Sequence, residues 1–216
     1  MSLLQIALAT ASRVGASFTP PVPGSYSPPN SAGVTYPSQG TPADPGNGAG
    51  APSPSSAGLV RRAYLGIWSV NGQDNNPSIF DGSPFSTYAG DLYIAFGAQT
   101  TGENYCMEWK GYFKANATAN WNFRVDADDV VMFWIGSAAI NPNNSNWTSS
   151  SQTNSGLNFN SVILAQDTWY PIRIRFQEWT GAESLNIYGA PANSDMIALY
   201  QYGSSSVLYN PTTTGY

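Results

Sequence analysis

Asn120-Trp-Asn-Phe-Arg-Val-Asp-Ala-Asp-Asp-Val-Val-Met-Phe-Trp-Ile-Gly136 joins two different strand signatures through a pair of aspartates. In its first half Trp121, Phe123 and Val125 alternate with Asn122, Arg124 and Asp126, the pattern of a strand with one dry face. Its second half, Val130 to Ile135, is an unbroken apolar run rich in β-branched and aromatic residues. That run is too short to span a bilayer and predicts a strand covered on both faces. Working outward, Tyr170 to Gln177 alternates again, with Ile172, Ile174 and Phe176 predicted inward and Arg173 and Arg175 outward. Asp91–Phe96, Tyr105–Trp109 and Ser184–Tyr188 read as shorter strands, and Thr180-Gly-Ala-Glu183 as a turn. No segment past residue 60 has helical periodicity. The prediction is all-β, an antiparallel β-sandwich.

The N-terminal part reads differently. Ten prolines lie between Thr19 and Pro54, the gaps are filled by Gly, Ser and Ala, and Asp44 is the sole charge there. All seven tryptophans lie beyond residue 60. A segment so poor in apolar bulk cannot offset its own ordering entropy. The expected division is therefore 1–60, an anchor and extended Pro/Gly-rich arm, and 61–216, the sandwich. Leu3, Leu4, Ile6 and Leu8 have no core in the arm to bury them, so they are predicted to anchor it on another chain. The first twelve residues lack the basic start and continuous apolar run of a signal peptide, and none is expected.

Composition removes several functions. With 13 acidic and 8 basic residues the net charge is −5, the wrong sign for a phosphate-binding surface, so no nucleic-acid partner is expected. No 20-residue apolar stretch suggests a membrane span. The chain has no histidine, which removes His-dependent triads and His metal sites, and one cysteine, Cys106, which removes internal disulfides. Cys106 is expected to be a small buried hydrophobe.

Four pieces recur in a familiar order: Glu108-Trp-Lys-Gly-Tyr-Phe113, Trp121 to Val125, Asp126 to Gly136, and Trp169 to Phe176 followed by Gly181 to Ile187. Together they resemble the protective-antigen-like β-sandwich family, which includes the flocculin lectins and their GLEYA relatives. The resemblance covers roughly residues 61–190. In lectin members, two consecutive aspartates joined by a cis peptide help bind calcium and a sugar, and Asp128 and Asp129 match that pair. The resemblance thus implies a calcium and carbohydrate site there, although no cofactor is required by the residues themselves. The alternative is a metal-free turn in which the carboxylates accept backbone N–H groups. Adjacent carboxylates without a metal need hydrogen bonds, a proton or a cation, and Arg124 is too close in sequence to be judged. Further oxygen ligands would come from a separate loop, with Asn141, Asn143, Asn144 and Asn146 as candidates. Trp147, in the same polar loop, is the candidate for stacking on a sugar ring.

Glu108 and Glu178 could be imagined as a glycosidase pair, but both are expected on solvated faces, and no enzyme activity is expected. The leading functional expectation is a structural protein of a large assembly, a bacteriophage virion, likewise its location. There the arm would be stitched into neighbouring proteins, and the sandwich would be displayed as part of a homo-oligomer. The alternative is a calcium-dependent carbohydrate-binding adhesin, extracellular or at a cell surface, with glycans as partners. The two can coexist.

Overall fold

Alternation and apolar runs become long strands in the computed structural model, which describes residues 57–70, 73–74, 76–91, 96–99, 103–152, 157–202 and 206–208. The expected anchor residues Leu3, Leu4, Ile6 and Leu8, and the arm up to residue 56, lie outside the described residues. In chain order the strands are β1 (Leu59–Leu65), β2 (Ser69–Val70), β3 (Gln73–Asp74), β4 (Ser86–Asp91) and β5 (Phe96–Gln99). There follow β6 (Tyr105–Lys114), β7 (Ala119–Asp128), β8 (Val130–Ile135), β9 (Ser149–Gln152) and β10 (Leu157–Phe159). The last five are β11 (Ser161–Leu164), β12 (Trp169–Glu178), β13 (Glu183–Pro191), β14 (Ile197–Ala198) and β15 (Val207–Leu208). One four-residue helix, α1 (Ser137–Ile140), and two 3-10 turns complete the described residues.

The strands form two large antiparallel sheets and a separate two-stranded hairpin of β2 and β3. The larger has the order β10-β9-β8-β12-β6-β1-β4, with β15 also paired to β6. The smaller has the order β11-β7-β13-β14, with β5 also paired to β13. Inward residues meet between them. Trp121, Phe123 and Val125 of β7 face Trp109, Phe113, Phe133, Ile172, Ile174 and Phe176 in one dry core. The rings interlock edge to face, as at Phe113–Phe123 with centroids 5.8 Å apart. Burying side chains of this size contributes about 1.5–3 kcal/mol each. Residues 59 and 60 belong to β1, and Leu59 is fully buried in this core.

A second apolar cluster covers the outer face of the larger sheet. Tyr64, Trp68, Phe80, Cys106, Val130, Met132 and Trp134 pack there with Trp147. It explains why β8 is apolar on both sides. The same cover corrects one expectation: Arg173 and Arg175 do point away from the main core, but they are buried. Gln177, next along that face, holds the cover down. Its Oε1 accepts the N–H groups of Trp68 and Ser69, both at 2.6 Å, and its Nε2 donates to the Ser69 carbonyl at 3.0 Å. Cys106 is buried as expected, its thiol donates to the Gly66 carbonyl at 3.1 Å, and burial pushes its pKa up to about 12. A thiol so protonated is not a nucleophile.

Candidate functional site at the aspartate pair

Asp128 ends β7 in the smaller sheet, and Val130 begins β8 in the larger, so the chain changes sheets at the aspartate pair. The Asp128–Asp129 peptide bond is cis. Asp128 is half-buried and lies opposite Ser184 in the β7–β13 register. Asp129 is buried, and its Oδ2 accepts the Trp179 N–H at 2.6 Å. That bond is the backbone contact expected of a turn-closing carboxylate. The Asp129 N–H in turn donates to the Gln177 carbonyl at 3.4 Å. Arg124 does not serve the pair. It makes a two-point contact with Asp126, at 2.8 and 3.3 Å, beside the Tyr188 ring.

Two further acids, Glu178 and Glu183, join this end of the sandwich. The alternation of β12 that buries Ile172, Ile174 and Phe176 continues to Glu178, and that of β13 running back from Ile187 and Leu185 reaches Glu183. One glutamate therefore enters the end of the core from each sheet. Glu178 is fully buried, and neither of its carboxylate oxygens has a hydrogen-bond partner. Burial raises its pKa to about 7, helped by the negative charges of Asp129, Glu183, Asp128 and Glu103. The expectation of a solvated Glu178 is thus corrected, because the inward alternation runs one residue further than the apolar residues do.

Glu108 is corrected as well. It is buried on the outer face of the larger sheet, against Arg175 at 3.0 Å and Lys110 at 3.1 Å. Glu108 and Glu178 therefore lie on opposite faces of one sheet and form no glycosidase pair.

The Asn-rich loop is not at the aspartate pair. The N–H of Thr148 donates to the Phe133 carbonyl, which places Trp147 beside the far half of β8. At about 3.3 Å per residue that is on the order of 15 Å from Asp129. Trp147 is half-buried against the second apolar cluster. Asn146 Oδ1 accepts Trp134 Nε1–H at 3.0 Å and the Asn143 N–H at 2.8 Å, while its Nδ2 donates to the Asn141 carbonyl. Asn143 Oδ1 accepts the N–H and hydroxyl of Ser145. These amides shape their own loop. The aromatic that does adjoin the aspartates is Trp179, half-buried in the β12–β13 turn, whose carbonyl accepts the Asn104 N–H at 2.9 Å. In the sequence its only signal was a turn flanked by Glu178 and Glu183.

Among the described residues no three acidic or Cys side chains converge on a single metal position. The donor chemistry nevertheless suits a hard cation. Three carboxylates, Asp128, Asp129 and Glu178, crowd one end of the sandwich, and both oxygens of Glu178 lack a protein donor.

Residues 105–190 match the GLEYA domain family. No curated protein matches the chain in sequence. Among solved structures, the chain is similar to the A domain of epithelial adhesin 9 from Candida glabrata, solved in complex with Galβ1-3GlcNAc. The TM-score is 0.58 at 18% identity, over 80% of this chain and 99% of that one. It is also similar to the epithelial adhesin 6 A domain of the same organism, solved with the same sugar (TM-score 0.56, 17% identity, 74% and 91% covered). The PA14 sugar-binding domain from an RTX adhesin is similar too, at TM-score 0.51 and 17% identity, with 72% and 99% covered. The chain shares the β-sandwich fold of these domains.

Proposed function

We propose that this chain is a carbohydrate-binding domain of the adhesin type, with its site at the Asp128–Asp129 end of the sandwich and calcium as its cation. The observation that carries the reading is Glu178. A fully buried carboxylate with no hydrogen-bond partner, set beside two more acids, is costly unless it is protonated or a cation takes its oxygens. Asp128 and Asp129 would hold that ion, with Glu178 adding its negative charge close by. Bound calcium would supply positive charge on which sugar hydroxyls coordinate. The chain's own part is to fix Asp129 through the Trp179 N–H and to offer the Trp179 ring as an apolar face for a pyranose. The similar adhesin A domains solved with Galβ1-3GlcNAc and the PA14 sugar-binding domain support this reading. It places the domain outside the cell or at a cell surface, with glycans as partners.

A structural role in a virion rests on residues 1–56, which lie outside the described residues, and no comparison supports it. An arm-anchored lectin remains compatible with either setting.

The test is a glycan array run with calcium and with a chelator, on the wild-type chain and on Asp128→Asn/Asp129→Asn. Calcium-dependent binding that the double variant loses by at least tenfold is expected. In parallel, calcium should raise the wild-type Tm and leave the variant unchanged, because a ligand that binds only the folded state stabilises it. No wild-type shift at millimolar calcium would leave the turn-closing role as the whole function of the pair.

A further inference from the structure

The strand registers lay out the outer face of the larger sheet as a grid. Across β1, β6, β12 and β8 one row reads Arg62, Glu108, Arg175, Met132, and the next reads Val60, Lys110, Arg173, Trp134. Residues directly opposite in a register share a face, with Cβ atoms about 4.5–5.5 Å apart. Arg62, Lys110, Arg173 and Arg175, four of the chain's eight cations, therefore surround Glu108. Three of them touch it. Arg175 Nε lies 3.0 Å and Arg173 Nη1 3.4 Å from Oε1, while Lys110 Nζ lies 3.1 Å from Oε2.

The members differ in depth. Glu108, Arg173 and Arg175 form a floor, with side chains 1%, 8% and 5% exposed. Arg175 is fixed there with its guanidinium 4.2 Å from the Phe80 ring centroid. Lys110 is 19% exposed and Arg62 is half-buried, so these two reach solvent. Among the described side chains of this face, four positive charges meet one negative charge where water is largely excluded. Like charges repel more strongly in such surroundings than in water. Lys110 registers this: desolvation lowers its pKa, with Glu108 opposing and Arg173 and Arg62 adding to the fall.

We infer that this cluster is an anion-binding site, with Arg62 and Lys110 closing on an oxyanion over the Arg173–Glu108–Arg175 floor. The ligand class is a sulfate, or a group of the same chemistry, either free or carried as an ester on a glycan. Paired guanidinium and ammonium donors suit such an anion, because each contact is a charge-assisted hydrogen bond. The site lies on the sheet face turned away from the inter-sheet core that Glu178 and Glu183 enter. It does not depend on the carbohydrate reading of the aspartate pair.

The full-length chain is titrated with sodium sulfate and, at matched ionic strength, with sodium chloride, following Tm and heat of binding. Sulfate also stabilises proteins by exclusion from their surface, an effect that rises without saturation. Saturable binding of sulfate but not chloride is therefore the expected result. Lys110→Gln and Arg62→Gln should each weaken it at least fivefold, and Lys110→Arg should restore most of it. Far-UV circular dichroism checks that the variants are folded, and Arg62→Gln, on the outermost cation, serves if Lys110→Gln misfolds. A sulfated disaccharide that binds tenfold tighter than inorganic sulfate, with its unsulfated counterpart silent, assigns the site to an acidic glycan. Equal affinity assigns it to the free ion. Sulfate and chloride acting alike, or both Gln variants binding as the wild type does, would overturn the inference.

Discussion

Glu178 is a glutamate whose acid–base behaviour is set by where its strand ends. Its pKa of about 7 in the fold compares with 4.5 for an ordinary glutamate, the usual situation being a lowered value. The sign follows directly. Between about 4.5 and 7 the folded chain keeps a proton that the unfolded chain has released, so this group's contribution to stability falls as pH rises through that window. Glu178→Gln removes the ionisation and keeps the shape. It should raise stability by about 1–3 kcal/mol at pH 8, leave it nearly unchanged at pH 4, and flatten the Tm–pH profile between them. A variant whose profile parallels the wild type would place the proton elsewhere. Asp129 differs from Glu178 in accepting a backbone N–H at its Oδ2.

At the scale of elements, Gln177 shows how one strand holds a separate layer. Three hydrogen bonds from one buried amide fasten the segment that carries Trp68 onto the outer face. Gln177→Ala strands two N–H groups and a carbonyl and opens a cavity. A loss of roughly 2–4 kcal/mol is expected, with a rise in tryptophan emission wavelength as the second cluster loosens. Strands were the most legible part of this sequence, because β7, β8 and β12 show a period of two or a continuous apolar run. The second layer was not legible. Its anchor is an amide at a position that alternation marks as outward, and nothing in the pattern distinguishes an outward residue in water from one under a cover. Glu108 was misread for that reason, and the outward-pointing Arg173 and Arg175 lie under the same cover. The aspartate pair was legible through resemblance, whereas Glu178 and Trp179 come to it only through the meeting of β12 with the β7–β8 crossing. Trp147 lies away from the aspartate pair because its polar loop folds that aromatic back onto the second cluster.

For the whole molecule, where the sandwich begins decides what can be cut away. Leu59 is fully buried and pairs through β1 with both β4 and β6, so it belongs to the core. A chain of residues 57–216 should unfold cooperatively with a Tm within a few degrees of the full length. One beginning at residue 61 should lose several degrees, since deleting a buried leucine costs about 2–5 kcal/mol. Equal melting of the two would show that Leu59 and Val60 contribute little to the core.

The crossing at Asp128–Asp129 also has a mechanical consequence. A ligand bound there as proposed would grip the last residue of one sheet and the threshold of the other, so tension on it would divide between two layers. Neither layer can be peeled from a free edge, because β7 lies between β11 and β13 and β8 lies between β9 and β12. Load would run lengthwise along paired strands, the direction in which many backbone hydrogen bonds must break together. If the chain binds glycans there as proposed, pulling it through that sugar in a force spectrometer should release the sugar before the sheets yield, a grip that can be reset.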